Sequence, residues 1–164
     1  MVFEELYDRY FRRIYNYVRY RVLARDAADD IVSAVFEKVL DRFDDFDQAR
    51  PVEPWLFAIA RNTLNDHYRR GKVRGALSTS GFEEVLPSGE SVERAAEARE
   101  ENARLLAALA VLSEAERELI AMRYALDMSG REMAEQTGLS ESNVGVTLFR
   151  ALGKLRARLG PEEI

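Results

Sequence analysis

The sequence predicts an all-α protein of two small helical domains joined by a flexible linker, the C-terminal one containing a helix-turn-helix. Three observations carry this. Apolar residues recur at helical spacing along most of the chain, and no stretch of useful length alternates in the manner of a strand. A segment punctuated by Gly, Ser and Pro interrupts that pattern near the middle. Near the end, two short helical patterns meet at Gly138. The 164 residues suffice for one ordinary domain or two small ones.

The elements follow in order. From Phe3 to Val22, Leu6, Tyr7, Tyr10, Ile14, Tyr17 and Val18 trace an apolar stripe. A second helix spans Asp26 to Phe43, with Ile31, Val35 and Val39 in one row and Val32, Phe36 and Leu40 in another. Asp26, Asp29 and Asp30 favour its positive N-terminus. A third starts near Pro54, a residue suited to a first helical position, and runs to about Arg70. Leu56, Ile59, Ala60 and Thr63 face inward, while Asn62, Asp66 and Arg69 or Arg70 share an outer face. Residues 72–90 read as the linker, whose Leu77, Phe82, Val85 and Leu86 could dock on a partner. Helices resume near Ser91 and run to about Leu112. Ser113 with Glu116 then forms a capping box that opens a further helix, ending near Asp127. The boundaries are 1–71 for the first domain and 91–164 for the second.

Composition limits the function. Cysteine is absent, which rules out disulfides, thiolate zinc sites and thiol catalysis, and a reducing cytoplasm is the natural setting. No apolar run approaches the roughly 20 residues of a membrane span, and the N-terminus lacks a signal-peptide pattern. One histidine, His67, makes a metal site unexpected; it reads as a surface or packing residue. No nucleophile–His–acid set or Gly-rich phosphate loop suggests an enzyme, and no cofactor is implied. Net charge is −5, unevenly spread: residues 26–53 hold nine acids against three bases, and residues 54–74 five bases against one acid. Such a chain binds DNA weakly alone and well when another protein supplies most phosphate contacts.

The C-terminal pattern names a partner. Ser129 with Glu132 is a capping box, Gly138 suits a left-handed turn, and Ser140 restarts a helix. Val144, Leu148, Ala151, Leu152 and Leu155 mark its buried side. No acid occurs between Ser142 and Arg158, leaving that stretch locally +4. This is a helix-turn-helix whose second helix enters the major groove of duplex DNA. The plainer alternative is a helical hairpin with a solvated basic face.

Taken together, the segments resemble the extracytoplasmic-function (ECF) sigma factors of bacterial RNA polymerase, from about Phe3 to Leu159. FEELYDRYFRRIYNYVRYRV is similar to the opening helix of sigma region 2, and ADDIVSAVFEKVLDRF to its core-binding segment. PWLFAIARNTLNDHYRR is similar to the promoter-melting helix, and LSEAERELIAMRYALDMSGREMAEQTGLSESNVGVTLFRALGKLR to region 4. The resemblance implies a non-enzymatic factor that binds core polymerase, selects promoters and opens the −10 duplex. It assigns Asp29, Asp30, Ser33, Glu37 and Asp41 to the clamp helices of the largest polymerase subunit. Trp55, Arg61, Asn62, Asp66, Arg69 and Arg70 fall to the single-stranded −10 element, with Asn62 reading an extruded base and Trp55 more a packing residue than a stacking one. Arg123, Arg131, Ser142, Asn143, Thr147, Arg150 and Lys154 fall to the −35 duplex. The family implies an anti-sigma factor as a further partner. Two departures stand out. Ser33 and Ala34 replace the family's usual Gln and Glu, and Gly145, Val146 and Thr147 replace frequent basic residues. They predict an unusual −35 sequence or weaker dependence on it, with Gly145 allowing close approach and Val146 able to touch a thymine methyl. A stand-alone DNA-binding regulator and a purely sequestering sigma-like protein are the remaining rivals.

Overall fold

The computed structural model describes residues 1–71 and 92–160. The expected linker, with its four candidate docking residues, and the last four residues lie outside the described residues. Within them the chain forms seven α-helices: α1 Phe3–Val22, α2 Arg25–Arg42, α3 Val52–Arg69, α4 Val92–Leu109, α5 Glu114–Tyr124, α6 Gly130–Thr137 and α7 Glu141–Leu159. A short 3-10 turn, Phe43–Asp45, follows α2.

Some boundaries differ from expectation for identifiable reasons. α3 begins at Val52, with Pro51 as its N-cap, so Pro54 sits inside the first turn. Proline is tolerated there because the first N–H groups of a helix have no partner within it. α5 stops at Tyr124 rather than near Asp127. Asp127 takes a left-handed φ of 56°, and the Leu126 amide turns back to the Ala121 carbonyl. α4 ends at Leu109, before a turn that leads to the Ser113 cap.

The capping chemistry read from the sequence is realised at three helix starts. Ser113 and Ser129 each accept from the backbone three residues on, and Glu116 and Glu132 each accept from the cap amide in return. Ser140 accepts from the Asn143 amide. Gly138 takes φ 79°, the left-handed conformation that a side chain would strain, and turns α6 into α7.

α1 is the axis of the packing, lying against α2, α3 and α5. The first core is built from Leu6, Ile14, Tyr17, Val18, Ile31, Val35, Leu56, Phe57 and Leu64. It continues without a break into the C-terminal helices through Leu119, Met122, Leu126, Met133 and Val144. A second core gathers Leu106, Leu109, Leu112, Ile120, Ala151 and Leu155. Leu23, which caps α1, belongs to this second core although it lies on the N-terminal side of the linker. It holds a left-handed φ of 68°. That conformation costs a non-glycine residue roughly 1–2 kcal/mol, whereas full burial of a leucine returns roughly 1.5–3 kcal/mol. Burial therefore wins, and the buried Arg19 donates to the Leu23 carbonyl to hold the turn.

Polar contacts reinforce the same junction. Glu118 on α5 receives Arg21 at 3.0 Å and Arg61 at 3.0 Å, and its side chain is 12% exposed. Burial works against a charged Arg21, but Tyr17 and Glu118 beside it more than compensate and raise its pKa. Arg13 donates to the Leu126 carbonyl at 2.6 Å. Gln136 on α6 donates to the Pro54 carbonyl at 3.2 Å. The two halves of the chain are thus packed face to face.

Candidate nucleic-acid interface

α3 presents one candidate surface. Its apolar row faces the core, with Leu56, Ile59, Ala60 and Thr63 all buried. The same helical phase puts Asn62, Arg69 and Arg70 in solvent. Asp66 is ion-paired with Arg69, and Lys38 of α2 approaches it at 3.7 Å. The Arg69 hydrogen bond holds the Asp66 carboxyl below the usual carboxylate range, with Lys38 and Arg70 adding to the effect. Arg61 is half-buried and engaged by Glu118 and by the Gln136 carbonyl at 3.1 Å. His67 points back to the Thr63 carbonyl at 3.0 Å, a packing contact within the helix.

Trp55 stands apart from these residues, at the start of α3. It stacks on Phe46 with ring centroids 4.5 Å apart and is half-buried against the first core. The two rings form one wall of an open cleft of about 520 Å³, whose rim carries Asp45, Asp47, Arg50, Pro51 and Pro54. Phe46 and Arg50 were not singled out from sequence. The aromatic pairing of Phe46 with Trp55 could have flagged them, but a loop residue has no periodicity to announce it.

The exposed side of α2 carries Asp30, Ser33, Glu37 and Asp41, as its periodicity requires. Asp29 is half-buried, 3.8 Å from Arg25. Leu40, placed by periodicity in an apolar row with Val32 and Phe36, is 56% exposed. With Ser33, Glu37, Phe3, Tyr7, Phe11, Val32 and Phe36 it lines a shallow groove, so this acidic face also has an apolar floor.

The helix-turn-helix comprises α6 and α7. Ser142, Asn143 and Arg150 are exposed on α7, and Thr147 is half-buried with its hydroxyl donating to Asn143 at 3.2 Å. Arg150 makes no ion pair among the described residues. Lys154 is different. Its ammonium lies 2.8 Å from Glu116, the capping carboxylate of α5, and so ties α7 to α5. Burial tends to raise the Glu116 pKa, but bonds from Lys154 and Ser113 outweigh it and leave the carboxyl below its ordinary value. Arg123 caps the α5 turn by donating to the Met128 carbonyl at 3.2 Å, and Arg131 pairs with Glu135 on α6 at 3.4 Å. Both remain exposed. Of the seven residues, Ser142, Asn143, Thr147, Arg150 and Lys154 share α7, while Arg123 and Arg131 stand on α5 and α6, both of which pack against α7.

Family models assign both halves. Residues 6–74 match sigma-70 region 2, and residues 102–155 match sigma-70 region 4. Together they take in most of the chain. The chain belongs to the ECF sigma factors. The RNA polymerase sigma factor NccH of Alcaligenes xylosoxydans xylosoxydans is 32% identical over 99% of this chain and 89% of its own length. The ECF sigma factor BldN of Streptomyces coelicolor is 34% identical over 98% of this chain, which spans 61% of BldN. Among solved structures, CnrH in complex with the cytosolic domain of CnrY superposes with TM-score 0.67 at 30% identity, covering 94% of this chain and 85% of that one. RpoE of Bartonella quintana, in complex with the anti-sigma factor NepR, gives TM-score 0.75 at 20% identity, covering 97% of each chain, a likeness of fold. The sigma factor is accordingly a promoter-specificity protein of transcription initiation by RNA polymerase, and its family is one of initiation factors rather than classical enzymes. Among the described residues, no helix is long and apolar enough to cross a membrane.

Proposed function

We infer that this sigma factor uses α3 to hold the unpaired −10 strand and α7 to read the −35 duplex, with the α2 face docking on the clamp helices of core polymerase. Residues 1–71 and 91–164 act as the two working domains, and the reaction they serve is stoichiometric and cytoplasmic. The observation that carries the reading is the capped α6–Gly138–α7 corner, which leaves Arg150, Lys154, Arg156 and Arg158 of α7 in solvent with no acid between Ser142 and Arg158. Asn62, exposed midway along α3, offers a donor and an acceptor to a base edge. Arg69 and Arg70 supply phosphate contacts beside it, and Asp66 orients Arg69. Phe46 and Trp55 wall a cleft at the other end of the same helix, where an unstacked base would find an aromatic face.

The packed arrangement is the resting form of the factor. The −10 and −35 elements lie about 25 base pairs apart, roughly 85 Å at about 3.4 Å per pair. A molecule in which Gln136 touches the start of α3 cannot reach both. The two halves therefore part when polymerase and promoter are engaged, releasing Arg61 from Glu118. An anti-sigma factor, such as NepR on RpoE, would act by opposing that separation or covering the α2 face.

The test uses Arg150→Glu rather than a joint reversal with Lys154, since Lys154→Glu would set a second carboxylate against Glu116. With purified core polymerase, Arg150→Glu should bind core as the parent chain does and lose recruitment to a −35-dependent promoter. Unchanged recruitment would remove α7 from the reading.

A further inference from the structure

The outermost row of α7 is not the row of polar candidates. Successive residues of a helix are about 100° apart. Ser142, Val146, Phe149 and Gly153 therefore fall within an arc of about 60°, directly opposite the buried row of Val144, Ala151 and Leu155. All four are exposed; Phe149 is 77% exposed and Val146 46%. The polar row Asn143, Thr147, Arg150 and Lys154 runs along one flank of this arc, and Arg156 stands on the other. An apolar strip with cations on both sides is the reverse of an ordinary solvated helix face, which puts charge outermost.

The glycines of α7 add a second, independent observation. A Cβ built on Gly145 or on Gly153 meets nothing within 4 Å. No internal packing calls for glycine at either place. Each costs the helix roughly 1 kcal/mol relative to alanine. Gly153 lies on the outer arc itself, whereas Gly145 falls outside it, beyond the flank that Arg156 marks. The face is therefore kept low where nothing in the protein requires it.

We propose that Val146 and Phe149 are specificity-determining residues that read the −35 element through the C5-methyl groups of thymine, with Gly153 letting the helix lie deep in the major groove. This rests on the assignment of α7 to the −35 duplex. The major groove distinguishes thymine by that methyl group, and apolar side chains are the ones that contact it. Arg150 and Arg156 then serve the phosphates on either side of the groove. Duplex DNA is the occupant the face fits, because the flanking cations match two phosphate ribbons and no acid interrupts them between Ser142 and Arg158.

The experiment uses the holoenzyme assembled from full-length chain and core polymerase. Promoter duplexes are first enriched from a random library, and each thymine in the upstream block is then replaced by deoxyuridine, which lacks only the methyl group. Enriched sequences should carry thymine there, and each critical replacement should weaken holoenzyme binding about fourfold, the factor expected for one buried methyl. Phe149→Ala, at an exposed position, should bind core normally and lose the distinction between thymine and deoxyuridine. An upstream block without thymine, or equal binding of both bases, would overturn the proposal while leaving α7 as the reading helix if Arg150→Glu still abolishes recruitment. Loss of core binding in Phe149→Ala, with the base distinction intact, would overturn it in favour of a protein-facing role for this strip. Failure to enrich any upstream block would overturn the −35 assignment on which the proposal stands.

Discussion

At the scale of single residues, exposure separates groups that are available from groups already engaged. Asn62 is in solvent on α3 with no partner among the described residues, whereas Arg61, one position earlier, is held by Glu118 and the Gln136 carbonyl. Asn62→Ala should therefore alter −10 selection without affecting stability or core binding. Run-off transcription on promoters with single −10 substitutions, beside a core-binding titration, would check this, and equal loss of both activities would contradict the role. Arg150 and Lys154 looked equivalent in the sequence, and periodicity alone could not separate them. Only the fold brings Glu116, a residue 38 positions away from Lys154, into contact with one of them. Asn62, Ser142 and Asn143 were legible because their helical phase alone puts them outside. Phe46 and Arg50 were not, because a loop residue acquires its neighbours from tertiary structure.

At the scale of elements, capping chemistry made the helix starts readable while the ends were less so. Ser113, Ser129 and Ser140 marked their helices because a serine cap satisfies amides within its own turn. α5 ended early because Asp127 adopts a left-handed conformation that local composition did not demand. α7 carries two testable properties. Gly145→Ala meets open space and should stabilise the protein by roughly 1 kcal/mol, visible as a higher Tm; an unchanged or lower Tm would mean that the helix is not continuous there. The Glu116–Lys154 link should be acid-sensitive. The folded pKa of Glu116 lies below its ordinary value of 4.5, so its contribution is complete above that value and is lost as pH falls through the lowered one. Comparing parent and Glu116→Gln by thermal unfolding, the difference in stability should be constant near neutrality and shrink in acid. A difference that grew on acidification would reverse the sign of the link.

At the scale of the whole molecule, the two domains were legible but their mutual packing was not. Nothing in the sequence indicated that Leu23 would enter the C-terminal core or that Glu118 would hold Arg21 and Arg61. Such pairings depend on surface shape and on charges far apart in the chain. Removing one partner from a buried ion pair costs roughly 3–5 kcal/mol because the other charge is left uncompensated. Glu118→Gln should therefore loosen the closed form. The chain contains no cysteine, so labels placed by Ala49→Cys and Ala157→Cys would be unique. Energy transfer between them should fall in Glu118→Gln and on addition of core polymerase to the parent chain. Transfer unchanged in both cases would contradict a closed form that opens.

The central claim is that this chain gives polymerase a promoter choice of its own through α3 and α7. The most direct measurement is transcription by purified bacterial core polymerase on fragmented genomic DNA from the source organism, with and without the full chain, sequencing the transcript starts. Discrete new starts that share paired upstream motifs, and that disappear with Arg150→Glu, are the expected result. No new starts, with core binding shown intact, would contradict it.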